Sequence, residues 1–165
     1  MHSPEELTTL FRHRGRKVTP QRQCIFRILH QNPTHPTAES VYATAVAEMP
    51  TISLKTVYQT LNDLAEMGEI SVLDLGTGAT RFDPDTGGHH HLVCTSCGAV
   101  RDLFADYSGV VVPAGLEQGF EVGEAEVVFR GLCETCRAGS PAAAAGARRK
   151  GAGALLPPAG VEPTN

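Results

Sequence analysis

Residues 53–82 read SLKTVYQTLNDLAEMGEISVLDLGTGATRF, a stretch in which a helical pattern gives way to two short strands. Ser53 can cap a helix from Leu54 to about Met67 whose apolar residues recur at helical spacing, and Gly68 can end it. Residues 70–75 then read as a strand, 76–78 as a tight turn and 80–82 as the returning strand. A helix followed by such a hairpin predicts the second half of a winged helix-turn-helix, with 54–67 as the helix that reads DNA.

Three further helices are predicted upstream, and each begins with a capping residue. Ser3 opens a capping box that is followed by proline at the first helical position, and Thr19 precedes a proline in the same way. Thr37 can cap the third helix. Cys24 falls on the apolar face of the second helix, so we predict that it is a small core residue.

The pattern changes after residue 84 to short β segments, predicted at 89–94, 99–104 and 120–129, the last interrupted by Gly123. A helix within 106–119 is only weakly indicated, because Gly109, Pro113 and Gly115 oppose it. We therefore predict an α+β protein with a winged-helix domain at 1–83 and a small α/β domain at 84–137. The Ala/Gly/Pro-rich tail, 138–165, has too little to bury and is predicted to be disordered.

Charge is distributed unevenly along a chain whose formal net charge is −4. Residues 81–137 hold four basic and nine acidic side chains, whereas the rest of the chain is nearly balanced. This excess suits cation binding, although a solvated acidic surface would look the same. The sequence contains neither a membrane-spanning apolar run nor a signal peptide, so we expect a cytoplasmic protein without a membrane partner.

Four of the five cysteines form two C-x-x-C pairs, Cys94 with Cys97 and Cys133 with Cys136. In a reducing compartment this pattern indicates metal binding rather than a disulfide framework. Four thiolates suit tetrahedral zinc, and they leave no open position for catalysis, so the predicted site is structural. Unligated core thiols are the alternative, but two such pairs arising by chance in 165 residues is improbable.

The stretch GHHHLVCTSCG, residues 88–98, places three histidines directly before the first C-x-x-C pair. Side chains alternate along a strand, so His89 and His91 point to one face while His90 and Cys94 point to the other. Histidine with carboxylate favours Fe(II), Mn(II) or Zn(II) over Cu(I). Exposed surface histidines are the alternative interpretation. The nearby acidic candidates for a second metal site are Asp83, Asp85 and Asp102.

The chain resembles the ferric uptake regulator family of bacterial metal-dependent repressors. The matching stretches span most of residues 1–137 and are GRKVTPQRQCIFRIL, HPTAESVY, SLKTVYQTL, TRFD, HHHLVCTSCGAVRD and GLCETC. The resemblance implies a winged-helix domain joined to an α/β dimerisation domain. It also implies a homodimer that binds double-stranded operator DNA with an inverted, usually A·T-rich repeat.

The resemblance further implies two metal sites. The four paired cysteines would hold structural Zn²⁺, and a regulatory Fe²⁺ or Mn²⁺ would bridge the two domains. Such a bridge would hold the winged helices in the geometry that fits two half-sites, so the metal would shift the population toward the DNA-binding form. The ligands implied for this regulatory site are His35, Asp83, His89, His91 and Asp102.

Departures from the family pattern bear on the signal that is sensed. No cysteine falls in the regulatory site, and Gly87 occupies the place where a nickel sensor needs a further histidine. Asp102 matches the peroxide-sensing repressors, whereas iron sensors tend to carry glutamate there, and Ala125 replaces a histidine of a further iron-sensor site. We therefore expect hydrogen peroxide to be sensed by metal-catalysed oxidation of His35 or His89. An iron- or manganese-responsive repressor, or oxidation of the cysteine thiolates, are the alternatives.

The predicted DNA contacts lie on the reading helix and on the basic turn that precedes the second helix. Tyr58 and Gln59 are expected at base edges, and glutamine suits adenine where the family frequently has arginine. A solvated basic turn is the alternative interpretation of that turn. The residues expected at phosphates are Arg12, Arg14, Arg16, Lys17 and Lys55.

Two other classes of protein remain open from the sequence. A zinc hydrolase or deaminase would need HExxH, or H-x-E before P-C-x-x-C, and neither occurs in the sequence. We therefore do not expect an enzyme. A zinc-stabilised interaction module would bind no DNA, whereas a repressor would bind its operator only with an exchangeable second metal.

Overall fold

The computed structural model of the chain describes residues 1–123 and 125–139. Residues 140–165, which include nearly all of the tail predicted to be disordered, lie outside the described residues. None of the described helices has the length and apolar character needed to cross a membrane. The helices are α1 (Pro4–His13), α2 (Pro20–Leu29), α3 (Ala38–Glu48), α4 (Leu54–Glu66) and α5 (Glu134–Gly139), and the strands are β1 (Ser71–Leu73), β2 (Arg81–Asp83), β3 (His90–Cys94), β4 (Val100–Leu103) and β5 (Val128–Gly131).

The predicted starts of the first four helices are confirmed by their caps. The side chains of Ser3, Thr19, Thr37 and Ser53 each accept a hydrogen bond from a backbone N–H three residues along the chain. These contacts satisfy donors that the first turn of a helix otherwise leaves unpaired. At the far end of α4, Gly68 has a φ of +73°, the left-handed conformation in which glycine carries no steric cost.

A single apolar core holds α1 to α4 together and extends to Phe82 in β2. Cys24 is fully buried in that core, as the apolar face of α2 predicts. Asp63 of α4 is also buried, and its carboxylate is paired with the guanidinium groups of Arg16 and Arg22. Pairing with two cations offsets the cost of burying this charge, and it ties the turn before α2 to the reading helix.

Two small sheets follow the helices, and this mixture confirms the predicted α+β class. Strands β1 and β2 form an antiparallel wing in which Val72 pairs with Phe82. In the second sheet, β3 lies in the centre, with β4 antiparallel on one side and β5 parallel on the other. A second, smaller core beneath this sheet contains Leu75, Val93 and Val100.

The structure corrects two of the predicted elements. No helix forms within 106–119, which consists of turns and extended chain. The predicted strand 120–129 is also wrong over most of its length, because β5 begins only at Val128. Its partner β3 begins at His90, and His91 is paired with Val128, so earlier residues of the segment have almost nothing to pair with. At the other end, α5 continues to Gly139, two residues into the predicted tail.

Candidate metal centres

Three imidazoles and two carboxylates converge between the helical domain and the second sheet. They come from the loop before α3, the end of β2, the start of β3 and the middle of β4. One ligand atom from each residue lies within 4.8 Å of each of the others. The cluster therefore joins segments that are far apart in sequence. Its members are the five residues expected at the regulatory site, His35, Asp83, His89, His91 and Asp102.

His35 reaches the cluster from a strained backbone position. Its φ is +48°, in the left-handed region that residues with a side chain rarely adopt, and its side chain is fully buried. Arg81 Nη1 donates a hydrogen bond to the His35 carbonyl oxygen at 2.9 Å, and the Phe82 N–H donates to the Pro36 carbonyl at 3.0 Å. These contacts from β2 hold the His35 ring between the two domains.

Strand geometry explains the directions of the other two histidine side chains. His89 and His91 both point into the cluster, whereas Cys94 points into a separate group of thiols, as the alternation along β3 predicts. Asp102 enters from the neighbouring strand because β3 and β4 pair with His91 opposite Asp102. His90, on the other face, accepts a hydrogen bond from the Val127 N–H through its Nδ1.

The atoms that face one another in the cluster are buried polar atoms without hydrogen-bond partners among the described residues. His35 Nε2 lies 2.7 Å from Asp102 Oδ1, and His89 Nε2 lies 3.0 Å from Asp83 Oδ2, but neither pair has hydrogen-bond geometry. Leaving so many buried donors and acceptors unpaired is costly. A divalent cation within the cluster would satisfy all of them, so these residues fit a bound metal. The five atoms are His35 Nε2, Asp83 Oδ2, His89 Nε2, His91 Nε2 and Asp102 Oδ1.

Hydrogen bonds behind the rings determine which imidazole nitrogen faces the cluster with a lone pair. His89 Nδ1 lies 2.7 Å from the Gly87 carbonyl oxygen, and His91 Nδ1 lies 2.8 Å from Glu126 Oε1. A carbonyl oxygen and an ionised carboxylate can only accept a hydrogen bond. Each of these two Nδ1 atoms must therefore carry the proton. Nε2 of both rings is then left as the donor atom that a metal requires.

Charge in the cluster also suits a cation. Burial by itself raises the pKa of Asp83, but the neighbouring His35 ring and the Asp85 N–H outweigh that effect, so the pKa lies below its ordinary value. Burial lowers the pKa of His89, but the Gly87 carbonyl and Asp83 outweigh burial and raise it above its ordinary value. Two carboxylates facing three rings therefore attract positive charge, which a divalent metal would supply.

The four paired cysteines form the second cluster, with sulfur atoms all within 4.8 Å of one another. Cys97 Sγ lies 3.8 Å from Cys133 Sγ, across the gap between the two pairs. The Cys133 N–H, followed by the N–H groups of Cys97 and Ser96, lowers the pKa of Cys94 to about 6. The Ser96 hydroxyl lowers the pKa of Cys136, but the surrounding thiols outweigh it and raise that pKa to about 12. The four sulfurs can therefore all be ionised only beside a cation, and tetrahedral zinc fits them.

The residues expected at DNA differ in their surroundings. Lys55, Tyr58 and Gln59 are exposed on α4, although the Tyr58 hydroxyl donates to Glu39 at 2.6 Å. Arg12, Arg14 and Lys17 are exposed around the turn before α2. Arg16 is half-buried and forms ion pairs with Asp63 and Glu66 of α4, so its side chain stabilises the position of that helix.

Sequence reasoning misses two residues that contact the histidine cluster. Arg81 lies in the motif TRFD, but its bond to the His35 carbonyl depends on the loop conformation and leaves no signal in the sequence. Glu126 is missed when 120–129 is treated as one strand. An acidic side chain directly before the apolar run VVF, in a segment that pairs with HHH, is the signal that could have identified it.

Comparison with known proteins identifies the family. The model of the ferric uptake regulator family matches residues 13–129, which is more than half of the chain. This chain belongs to the ferric uptake regulator family. The match includes helices α2 to α4 and both strands of the wing, all five residues of the histidine cluster and the first C-x-x-C pair.

Individual relatives agree with the family match. A peroxide-responsive repressor of Staphylococcus saprophyticus is 33% identical over 137 residues, which cover 82% of this chain and 93% of that protein. A solved zinc-bound manganese uptake regulator is 28% identical with a TM-score of 0.65, covering 80% of this chain and 99% of that one. A ferric uptake regulator from Pseudomonas aeruginosa solved with manganese is also 28% identical, with a TM-score of 0.57 and coverage of 81% and 99%. All three are named as regulators or repressors, none as an enzyme.

The cysteine cluster generates a prediction about stability. A structural zinc site contributes on the order of 10–16 kcal/mol, which is comparable to a domain's whole stability of about 5–15 kcal/mol. We expect Cys97→Ser to lose bound zinc and to unfold the second sheet, with loss of the dimer. Zinc content, thermal unfolding and light scattering would measure this, with Thr135→Ala as the control because this exposed residue lies between the second pair of cysteines. Unchanged unfolding and dimerisation in Cys97→Ser would contradict the zinc assignment.

Proposed function

We propose that this chain is a homodimeric, metal-dependent transcriptional repressor that binds operator DNA in the cytoplasm and releases it when hydrogen peroxide is present. The observation that carries the proposal is the histidine and aspartate cluster, in which ligand atoms from the helical domain and the second sheet share one small space. Because the two parts of the molecule meet at these atoms, binding of a cation there would fix their relative geometry.

The donor sets favour different metals at the two clusters. Four thiolates suit structural Zn²⁺, while three imidazoles and two carboxylates suit Fe²⁺ or Mn²⁺. Among the solved relatives, one is a zinc-bound manganese uptake regulator and another is a ferric uptake regulator solved with manganese, so both metals occur in related proteins. We assign the zinc to Cys94, Cys97, Cys133 and Cys136, and the regulatory metal to His35, Asp83, His89, His91 and Asp102.

The regulatory cluster can control DNA binding because its ligands come from two different parts of the molecule. His35 belongs to the loop that leads into α3, and Asp83 ends the wing, whereas His91 and Asp102 lie in the second sheet and His89 directly precedes β3. Without a cation, the facing polar atoms have no hydrogen-bond partners among the described residues, which disfavours the closed arrangement. A bound metal favours the closed arrangement and shifts the population toward it by its differential affinity.

Asp102 and the peroxide-responsive relative support peroxide as the signal. Ferrous iron held by these residues would promote cleavage of the O–O bond of hydrogen peroxide. In the net reaction an imidazole C–H would be oxidised to C–OH by one oxygen atom of the peroxide, and the other oxygen would leave as water. His35 and His89 are the proposed targets, and each presents a buried Nε2 to the cluster. An imidazole that has gained an oxygen atom is a weaker donor. The bridge between the domains is then broken, and the winged helices are released from the arrangement that fits DNA.

Exposed apolar side chains support the homodimer. Phe104, Val111, Leu116 and Phe120 have exposed fractions of 72%, 71%, 63% and 76%, and they follow one another along the segment after β4. A soluble monomer rarely exposes so many large apolar groups in one segment. A second copy of this chain would cover them, and it would bring two winged helices to the two halves of an inverted repeat.

The exposed side of α4 supports double-stranded DNA as the partner, with Gln59 favouring A·T-rich sequence. Lys55 stands in the first turn of α4, where it can contact a phosphate, while Tyr58 and Gln59 lie about one turn further along the helix. The basic turn that contains Arg16 and Lys17 flanks this helix, and the Arg16 pairing with Asp63 holds it in place.

Base reading and phosphate binding predict different effects on DNA affinity. Gln59→Ala should lower operator affinity by roughly 1–3 kcal/mol and relax sequence preference, because it removes a side chain that pairs with a base. Lys55→Ala should weaken binding to all sequences alike and flatten the salt dependence by about one unit for each phosphate that is no longer neutralised. Fluorescence anisotropy on operator and scrambled duplexes across salt concentrations measures both effects. Equal loss of sequence preference in the two variants would contradict these roles.

The peroxide hypothesis predicts a difference between the two metals. After brief, low exposure to peroxide, the Fe(II)-loaded protein should lose operator binding, whereas the Mn(II)-loaded protein should keep it. Mass spectrometry should find one added oxygen on the peptide that carries His35 or His89, with zinc still bound. Asp102→Glu should keep metal-dependent DNA binding but respond less, because the longer carboxylate reshapes the cluster.

Other outcomes would favour specific alternatives. If both metal forms release DNA together, with zinc released and disulfides formed, the cysteine cluster is the sensor. If neither form responds to peroxide, the chain is an iron- or manganese-responsive repressor, a role that the manganese uptake regulator with a TM-score of 0.65 supports. If the chain binds no operator DNA with either metal, the zinc-stabilised interaction module replaces the repressor.

A further inference from the structure

Glu126 contacts the histidine cluster from outside. Its Oε1 lies 2.8 Å from His91 Nδ1, the ring nitrogen that faces away from the cluster. The His91 side chain is 3% exposed, whereas that of Glu126 is 45% exposed, so the carboxylate sits at the surface directly behind a buried ring. From this position Glu126 cannot share the metal with His91 Nε2, and its contact instead acts on the ring.

The parallel pairing of β3 with β5 brings Glu126 to this place. At the start of the pair, the His91 N–H donates to the Val127 carbonyl at 3.1 Å, which puts the preceding residue beside the ring. At the far end, the Thr95 N–H donates to the Gly131 carbonyl at 2.8 Å, and the Cys133 N–H donates to Cys94 Sγ at 3.3 Å. Both strands therefore begin beside the histidine cluster and end at the cysteine cluster.

The three histidines differ in how their Nδ1 atoms are held. His89 uses the backbone carbonyl of Gly87, which no side-chain substitution removes. His35 Nδ1 is buried without a hydrogen-bond partner among the described residues. His91 alone among the three relies on a side-chain acceptor, and that acceptor is a carboxylate, the group that most strongly fixes the tautomer and raises the basicity of a metal-binding ring.

We propose that Glu126 is a positioning residue for the regulatory metal, because it holds His91 in the Nδ1–H tautomer with Nε2 turned into the cluster. The inference rests on the proposed function in one respect, that the histidine cluster binds a divalent metal. It adds a physical connection between the two clusters, since the strand that carries Glu126 ends at the zinc-binding cysteines. Loss of zinc would then remove the support of His91 as well as the fold of the sheet.

The test compares three variants of the full chain with zinc bound. Glu126→Ala removes the acceptor, Glu126→Gln keeps a carbonyl oxygen that can accept from Nδ1, and Glu121→Ala removes a carboxylate that makes no hydrogen bond with a described residue. We expect Glu126→Ala to weaken Mn(II) binding by about 10–100-fold, the usual loss when an outer partner of a ligand histidine is removed. Glu126→Gln should lose less than about tenfold, and Glu121→Ala should bind as the unmodified chain does.

A second readout separates positioning from a general structural effect. Nitrogen-15 spectra of the histidines, recorded with zinc bound and no second metal added, report the tautomer of each ring. His91 should be in the Nδ1–H form in the unmodified chain and in Glu126→Gln, and it should lose that preference in Glu126→Ala, while zinc content and thermal unfolding stay unchanged.

Several results would overturn the proposal. They are an Nε2–H tautomer of His91 in the unmodified chain, equal Mn(II) affinity in Glu126→Ala and Glu121→Ala, or a loss in Glu126→Gln as large as in Glu126→Ala. If Glu126→Ala does not fold, the proposal is still tested by the His91 tautomer in the unmodified chain and by the Mn(II) affinity of Glu126→Gln. If the unmodified chain binds no Mn(II), the proposed function fails, and the histidine spectra test Glu126 independently.

Discussion

The arrangement of the two domains depends on five buried polar atoms that face one another between the helical domain and the second sheet. Three ring nitrogens and two carboxylate oxygens lie within 4.8 Å of each other, and none has a hydrogen-bond partner among the described residues. Buried polar atoms in folded proteins are normally paired, so this arrangement favours a cation in its centre. A regulator can use such a site because its closed form then depends on the metal.

The rest of the fold delivers these atoms to one place. Caps and an apolar core make the winged helix rigid, and Arg81 holds the backbone of His35 in a left-handed conformation at its edge. On the other side, β3 carries His91 at one end and Cys94 at the other. The cysteine cluster fixes the register of β3 with β5, so the structural site supports the ligands of the regulatory site. Glu126 is the side chain through which that support reaches a ligand ring.

How far the sequence predicts the structure depends on the range of the interactions involved. Caps such as Ser53 and the alternation of His89 with His91 are predictable because they involve residues two or three positions apart. The four cysteines are predicted from their spacing, whereas the complete set of regulatory ligands, above all His35, comes from the family resemblance. The extent of β5, the contact of Glu126 and the pairing of Arg16 with Asp63 are not predicted. Each of these depends on contacts between distant segments. The chain at 106–119, where a helix is weakly indicated, is instead turn-rich, as Gly109, Pro113 and Gly115 favour.

One metal is expected to join the helical domain to the second sheet, and His35→Ala is the sharpest test because His35 is the ligand from the loop before α3. Mn(II) binding to the zinc-loaded protein should be measured by calorimetry for the unmodified chain, His35→Ala and His91→Ala. We expect one Mn(II) per chain, and losses of affinity in both variants that are larger than the roughly 10–100-fold loss typical of an outer-shell partner. If His35→Ala binds Mn(II) as tightly as the unmodified chain while His91→Ala does not, the loop before α3 contributes no ligand, and the proposed bridge through His35 is contradicted.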